Sequence, residues 1–159
     1  MATIKPISSM TTPRFADVAT FFRLPVIKDL QKLDYCICGV PWDGGTTNRP
    51  GARHGPREIR NASSLIRTYH PISLKSPYDI YNIADIGDCP VNPIDLQDSL
   101  TKIENFYNNI INSKTIPLSM GGDHLVSLPI LRALGKNKPL GLFQFSSIAL
   151  LNGVPCVYL

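Results

Sequence analysis

No continuous apolar run in this chain approaches the length that crosses a bilayer, which excludes an ordinary membrane span. The first twenty residues hold no continuous apolar stretch either, so a secretory leader is not indicated. No cysteine pair has C-x-x-C spacing, which argues against a zinc ribbon or a thioredoxin-type redox centre. No glycine-rich phosphate fingerprint or dinucleotide motif occurs. Charge of one sign is scarce as well: a net +4 is mild, and the basic residues are scattered. Arg49, Arg53, Arg57 and Arg60 come closest to a patch, but Gly, Pro and Glu58 interrupt them, so nucleic-acid binding is not expected. These absences leave a soluble protein placed in the cytoplasm, with an organelle-directed start as the alternative because the first residues are rich in Ser and Thr and poor in acids.

What the chain does have is apolar material for a core: 43% of its 159 residues are hydrophobic, which fits one folded domain. Residues 1–30 carry Pro6, Pro13 and Pro25 and read as an irregular arm, with one short ordered stretch around Phe21 and Phe22. The run from Asp34 to Pro41 predicts a strand buried on both faces, with Cys36 and Cys38 on one face as reduced, buried thiols. A Gly-rich loop over Trp42–His54 follows. A helix is expected over Pro56–Arg67, with Ile59, Ala62 and Ile66 as its apolar stripe. A second strand is predicted over Tyr78–Ile86. A long amphipathic helix should follow, capped by Asn92 with Pro93 at its first position and Asp95 in its first turn. Its stripe is Leu96, Leu100, Ile103, Tyr107 and Ile110. Thr115–Met120 reads as a third strand, Ser127–Leu134 as a helix stopped by Gly135, and Leu140–Phe145 as a fourth strand. Strands alternating with helices indicate an α/β fold with a parallel sheet.

Two stretches carry chemistry. Gly121-Gly122-Asp123-His124 closes the third strand, the end at which open α/β sheets bind ligands. Two glycines allow a sharp turn and close backbone approach, and His124 is a candidate metal ligand with Asp123 beside it to orient or tune the site. A structural histidine at a strand-to-helix turn is the competing reading. The second stretch is the loop after the first strand, with Asp43, Arg49, Gly51, Arg53, Gly55 and Pro56. It would shape a pocket rim, or form a rigid turn in which the arginines cap carbonyls or pair with acids.

Together, these motifs and the arm segments Pro13-Arg14-Phe15-Ala16 and Ala19–Pro25 resemble the ureohydrolase family of arginase, agmatinase and formiminoglutamase, the agmatinase branch in particular. The resemblance spans about residues 13–145 and implies a three-layer α/β/α domain, here the N-terminal portion, over residues 31–145. It further implies two Mn²⁺ ions that activate a hydroxide against a small guanidino substrate such as agmatine, giving putrescine and urea, and a homo-oligomer. By this resemblance His124 matches the first histidine ligand, and Asp123 lies behind it. The family's next ligands follow the fourth strand as His-Phe-Asp-Ala-His-x-Asp. Here that place reads Phe145-Ser146-Ser147-Ile148-Ala149-Leu150, so Ser146, Ile148 and Leu150 stand where Asp, His and Asp are expected. Residues 146–159 hold no charged side chain and read as an apolar tail foreign to the family. The expectation is a chain that does not hydrolyse the substrate by itself; a truncated subunit that associates with full-length homologues is the alternative.

Overall fold

The computed structural model describes residues 3–143. Three parallel strands make one sheet in the order β2-β1-β3: β1 (Tyr35–Gly39), β2 (Ile83–Asp88) and β3 (Ile116–Met120). β1 lies in the middle and is buried on both faces, as its unbroken apolar run requires. It pairs with β3 in continuous register, from Tyr35 against Ile116 to Gly39 against Met120. Its pairing with β2 slips between Ile37 and Gly39, a bulge opposite Gly87, whose φ of +83° favours a residue without Cβ.

Two cores flank the sheet. On one face Cys36 and Cys38 of β1, with Val40 just after it, pack against α2 (Leu96–Asn112) through Ile103, Tyr107 and Ile110, and against α3 (Ser127–Gly135) through Ala133. On the other face Ile37 meets Phe21 and Leu24 of the N-terminal arm, with α1 (Gly55–Ser63) lying against the arm. This is the α/β/α layering expected. Cys36, Cys38 and Cys89 are buried free thiols, and burial pushes Cys36 and Cys89 up to about 12, so they are inert apolar packing. Cys156 lies outside the described residues.

Several elements differ from the sequence reading. α1 stops at Ser63 rather than Arg67, because Ser63 and Ser64 turn their hydroxyls back onto the carbonyls of Arg60 and Asn61. Its expected stripe is also wrong: Ile59, Ala62 and Ile66 are exposed, and the face against the arm is Pro56, Arg60 and Ser63. The reason is Asp85, a buried carboxylate on β2 that draws the Arg60 guanidinium inward. β2 begins at Ile83 rather than Tyr78, since Pro77–Asp79 forms a 3-10 turn, and it runs through the Gly87 bulge instead of ending there. α2 is capped by Asp95, which accepts from the Asp98 N–H, while Asn92 serves the turn before it. Leu96 is exposed, and the rest of the α2 stripe is buried. Asp123 rather than Ser127 caps the last helical segment, through a 3-10 turn over His124–Val126 that runs into α3. Residues 140–143 form no strand; their side chains are exposed and no described strand lies beside them to complete a ladder. The rest of that expected strand, and the 146–159 tail with Ser146, Ile148 and Leu150, fall outside the described residues.

Candidate functional site

The connections around β1 and β3 decide where a ligand would sit. The chain leaves β1 toward α1 on one face and leaves β3 toward α3 on the other. Adjacent parallel strands whose helices depart to opposite faces open a crevice at their carboxyl ends. Both sequence stretches singled out above lie at that crevice.

The two stretches are tied together by backbone contacts that leave no room for side chains. The Val40 N–H donates to the Met120 carbonyl at 2.9 Å, and the Asp123 N–H donates to the Trp42 carbonyl at 2.8 Å. A Cβ on Gly122 would stand 1.8 Å from that same Trp42 oxygen, so only glycine allows the turn to close against the first loop. A Cβ on Gly55 would meet the Gly121 carbonyl at 2.9 Å, which brings the start of α1 against the same turn. Trp42, the single tryptophan, is buried here and organises the crossing through its backbone. The sequence reading gave it no role; its position directly before Asp43-Gly44-Gly45 was the available signal.

Both carboxylate oxygens of Asp123 take up backbone donors. One carboxylate oxygen accepts from the Gly45 N–H at 2.6 Å and the other from the Leu125 N–H at 2.9 Å. It therefore pins the first loop while capping the turn that begins at His124. His124 itself is exposed at the start of that turn, at the carboxyl end of β3.

Asp43 shapes the rest of the loop. Its side chain is fully buried, and its two oxygens accept from the Gly51 N–H at 2.7 Å, the Arg53 N–H at 3.2 Å and the Arg53 Nε at 2.6 Å. The Arg53 guanidinium holds the Asp43 carboxyl down at about 2, overcoming the effect of burial, with help from the two backbone donors. The arginine is thus a loop clasp that pairs with an acid, one of the two readings the sequence left open. Gly51 needs its own residue type, since φ is +139° there. Arg49 is exposed on the loop, and Pro56 is buried in the first turn of α1.

A binuclear metal centre needs several oxygen and nitrogen ligands from the protein. Among the described residues no group of three His, Cys, Asp or Glu is placed to hold a metal. The described residues alone therefore do not fit two manganese ions. What the arrangement does provide is a rigid floor: two loops locked by Asp43, Asp123 and Gly122, with an imidazole at the crevice.

Comparison with known proteins agrees with this architecture. Residues 33–147 match the model of the arginase family. The chain is 56% identical over 143 residues to guanidinopropionase of Pseudomonas aeruginosa, covering 90% of this chain and 45% of that protein. It is 42% identical to the mitochondrial agmatinase of Gallus gallus, covering 86% of this chain and 41% of that protein. The solved proclavaminate amidino hydrolase of Streptomyces clavuligerus superposes with a TM-score of 0.75 at 34% identity, over 79% of this chain and 42% of that one. The chain spans less than half the length of these relatives. The matched residues include both loops and the three strands that carry them, and the chain belongs to the arginase family, the ureohydrolases.

Proposed function

We propose that this chain carries the N-terminal half of a ureohydrolase site for a small, linear guanidino compound, which the complete site would hydrolyse to an amine and urea. The observation that supports this is the Gly121–His124 turn, locked against the Asp43 loop at the crevice between β1 and β3. His124 would be this half's contribution to a Mn²⁺ centre. The ion would supply Lewis acidity and an activated water near neutral pH. The chain's own residues would fix the crevice floor: Asp123 and Gly122 set the histidine turn, and Asp43 with Arg53 sets the rim.

The sequence motifs point to agmatine, with putrescine as the amine. The 56% identity to a guanidinopropionase favours a guanidino acid within the same reaction class. The two differ in the far end of the substrate, a cation in agmatine and a carboxylate in the acid.

The polypeptide of 159 residues is proposed to be inactive alone. Ser146 is a weak ligand at best, and Ile148 and Leu150 offer no lone pair where the family pattern places ligands. A second reading, a non-catalytic subunit that joins full-length homologues, is favoured by β3. It is the outer strand of the described sheet, and its Ile116 and Leu118 are half exposed. Co-purification with a full-length homologue would support that reading; a monomer that fails to associate would remove it.

The decisive experiment is a chimaera. Residues 1–143 are joined to the remainder of the P. aeruginosa guanidinopropionase, and urea release is measured with Mn²⁺ on 3-guanidinopropionate, 4-guanidinobutyrate and agmatine. The chimaera should release urea and lose it on His124→Ala, while the 159-residue chain releases none. A folded chimaera with no activity on any of the three would overturn the reaction class. Activity of the short chain above its His124→Ala control would overturn its inactivity.

A further inference from the structure

We propose that Asp43-Gly44 is a latent modification site, a step at which the backbone rearranges to isoaspartate unless the clasp formed by Arg53 and Thr46 holds it closed. It is the chain's one Asp-Gly sequence. An aspartate before glycine is the most open to this rearrangement, because glycine has no Cβ to shield its amide nitrogen or restrain its backbone. The packing calls for glycine at position 44. A Cβ there would stand 2.2 Å from the ring of Trp42, which is itself buried where the two loops cross. The reactive pair is thus a consequence of seating Trp42, and the loop has to contain it.

The chemistry needs two groups to meet. The Gly44 nitrogen attacks Cγ of Asp43. The new N–C bond closes a five-membered succinimide, and the Cγ hydroxyl leaves with the amide proton as water. A water then adds to the ring at the Asp43 main-chain carbonyl and breaks its old bond to Gly44. The chain now runs through Cβ and Cγ, and the free carboxylate sits on Cα. Mass is unchanged, but the loop has gained a backbone atom and the Gly51 and Arg53 donors have lost their acceptor.

In the folded loop both groups are held off this course. The Asp43 side chain is fully buried, and its oxygens accept from the Gly51 N–H at 2.7 Å and the Arg53 Nε at 2.6 Å. The carbonyl of the Asp43-Gly44 peptide accepts from the Thr46 hydroxyl at 2.8 Å and the Thr46 N–H at 3.2 Å. That fixes the peptide plane which carries the Gly44 nitrogen. The Arg53 guanidinium also keeps the carboxyl ionised, with its pKa down at about 2. A carboxylate is a far poorer electrophile than the neutral acid, since its leaving oxygen carries no proton. The state of the clasp therefore sets the lifetime of the rim, whatever substrate the crevice takes.

The test follows isoaspartate at position 43 over time at physiological temperature and pH. It compares the full chain, its Arg53→Gln and Thr46→Val variants, and the unmodified chain in concentrated urea. Peptide mapping with isoaspartyl methylation locates the product and separates it from any formed at Asn152-Gly153, which reaches the same ring by losing ammonia. Conversion should be slow in the native chain and fast in urea. Arg53→Gln should speed it about ten-fold or more, since losing a charged hydrogen bond to a buried carboxylate frees the loop by that factor. Thr46→Val, which keeps Arg53, should speed it by less. Circular dichroism checks that each variant is folded, and if Arg53→Gln is not, Thr46→Val carries the comparison. No conversion in urea would overturn the site. A native chain that converts as fast as the unfolded one, or folded variants that convert no faster than the native chain, would overturn the clasp.

Discussion

Two carboxylate–arginine pairs organise this half-domain, and they differ in which partner meets water. At the arm, Asp85 and Arg60 are both withdrawn, at 1% and 12% side-chain exposure. At the crevice, Asp43 is withdrawn but Arg53 is 43% exposed. Asp85 also accepts from the Phe21 and Gly87 N–H groups, and its backbone bonds Pro25 and Ile27, so the arm, α1 and β2 converge on one residue. The Arg60 guanidinium further lies 4.0 Å over the Phe21 ring. Among the described residues, Asp43 bonds within its own loop, to Thr46, Gly51 and Arg53. The first pair is a joint between elements, and the second shapes a rim. The comparison predicts global consequences for one and local consequences for the other.

The largest effect should come from Asp85→Ala. It leaves a withdrawn guanidinium short of its main partner and frees the Phe21 N–H, so a loss of about 3–5 kcal/mol is expected. Urea unfolding would measure it, and proteolysis should now cut the arm near Phe21. A loss under about 1 kcal/mol would mean that Asp88, also 2.7 Å from Arg60, carries the joint instead.

Acid should separate the two pairs next. Burial by itself would raise the Asp85 carboxyl, but the Arg60 guanidinium and the Phe21 and Gly87 donors outweigh it and hold it below the ordinary range. Asp43 is held at about 2. Both folded values lie below the unfolded ones, so the native state binds fewer protons than the unfolded chain in this range. The stability they contribute is fully present above about pH 4 and is lost as pH falls from there toward 2. Tm measured from pH 7 to pH 2 should stay level with respect to these groups down to about pH 4 and then drop. Asp43→Asn should flatten that drop more than Asp85→Asn does, because the larger depression is at Asp43. Equal flattening would mean that the joint carboxylate is held as low as the rim carboxylate.

The same contrast explains what was legible in the sequence. Strand β1, helix α2 and the Gly121–His124 turn were readable because local pattern and tertiary environment agree: an apolar run for a central strand, a three-four stripe for a half-buried helix, paired glycines for a close crossing. The α1 stripe was misread because Asp85, twenty-five residues beyond Arg60, reverses the preference of that helix for its apolar side. A long-range ion pair leaves no periodic trace. The Arg53 clasp was readable only as one of two options, since spacing shows that an arginine follows an aspartate and not that the loop folds back between them. Co-ligands for the proposed metal site were not readable at all, because positions 146, 148 and 150 hold Ser, Ile and Leu.

The smallest effect sharpens the rim side of the comparison. Gly51 has open space around a would-be Cβ, with no heavy atom within 4 Å, yet its φ is +139°. Gly51→Ala therefore tests backbone conformation alone, with no clash to confuse it. The loop must either hold the strained conformation, at a cost of roughly 1–3 kcal/mol, or relax. Relaxation would withdraw the Gly51 N–H from Asp43 and leave that buried carboxylate with the Arg53 donors alone. A rim that is local predicts the second course: a small fall in Tm, faster amide exchange confined to about residues 44–53, and unchanged exchange in α2 and the sheet. Exchange that quickens throughout β1 and β3 would instead mean that the Asp43 loop is part of the structural frame. The division between a supporting joint and a shaping rim would then have to be abandoned.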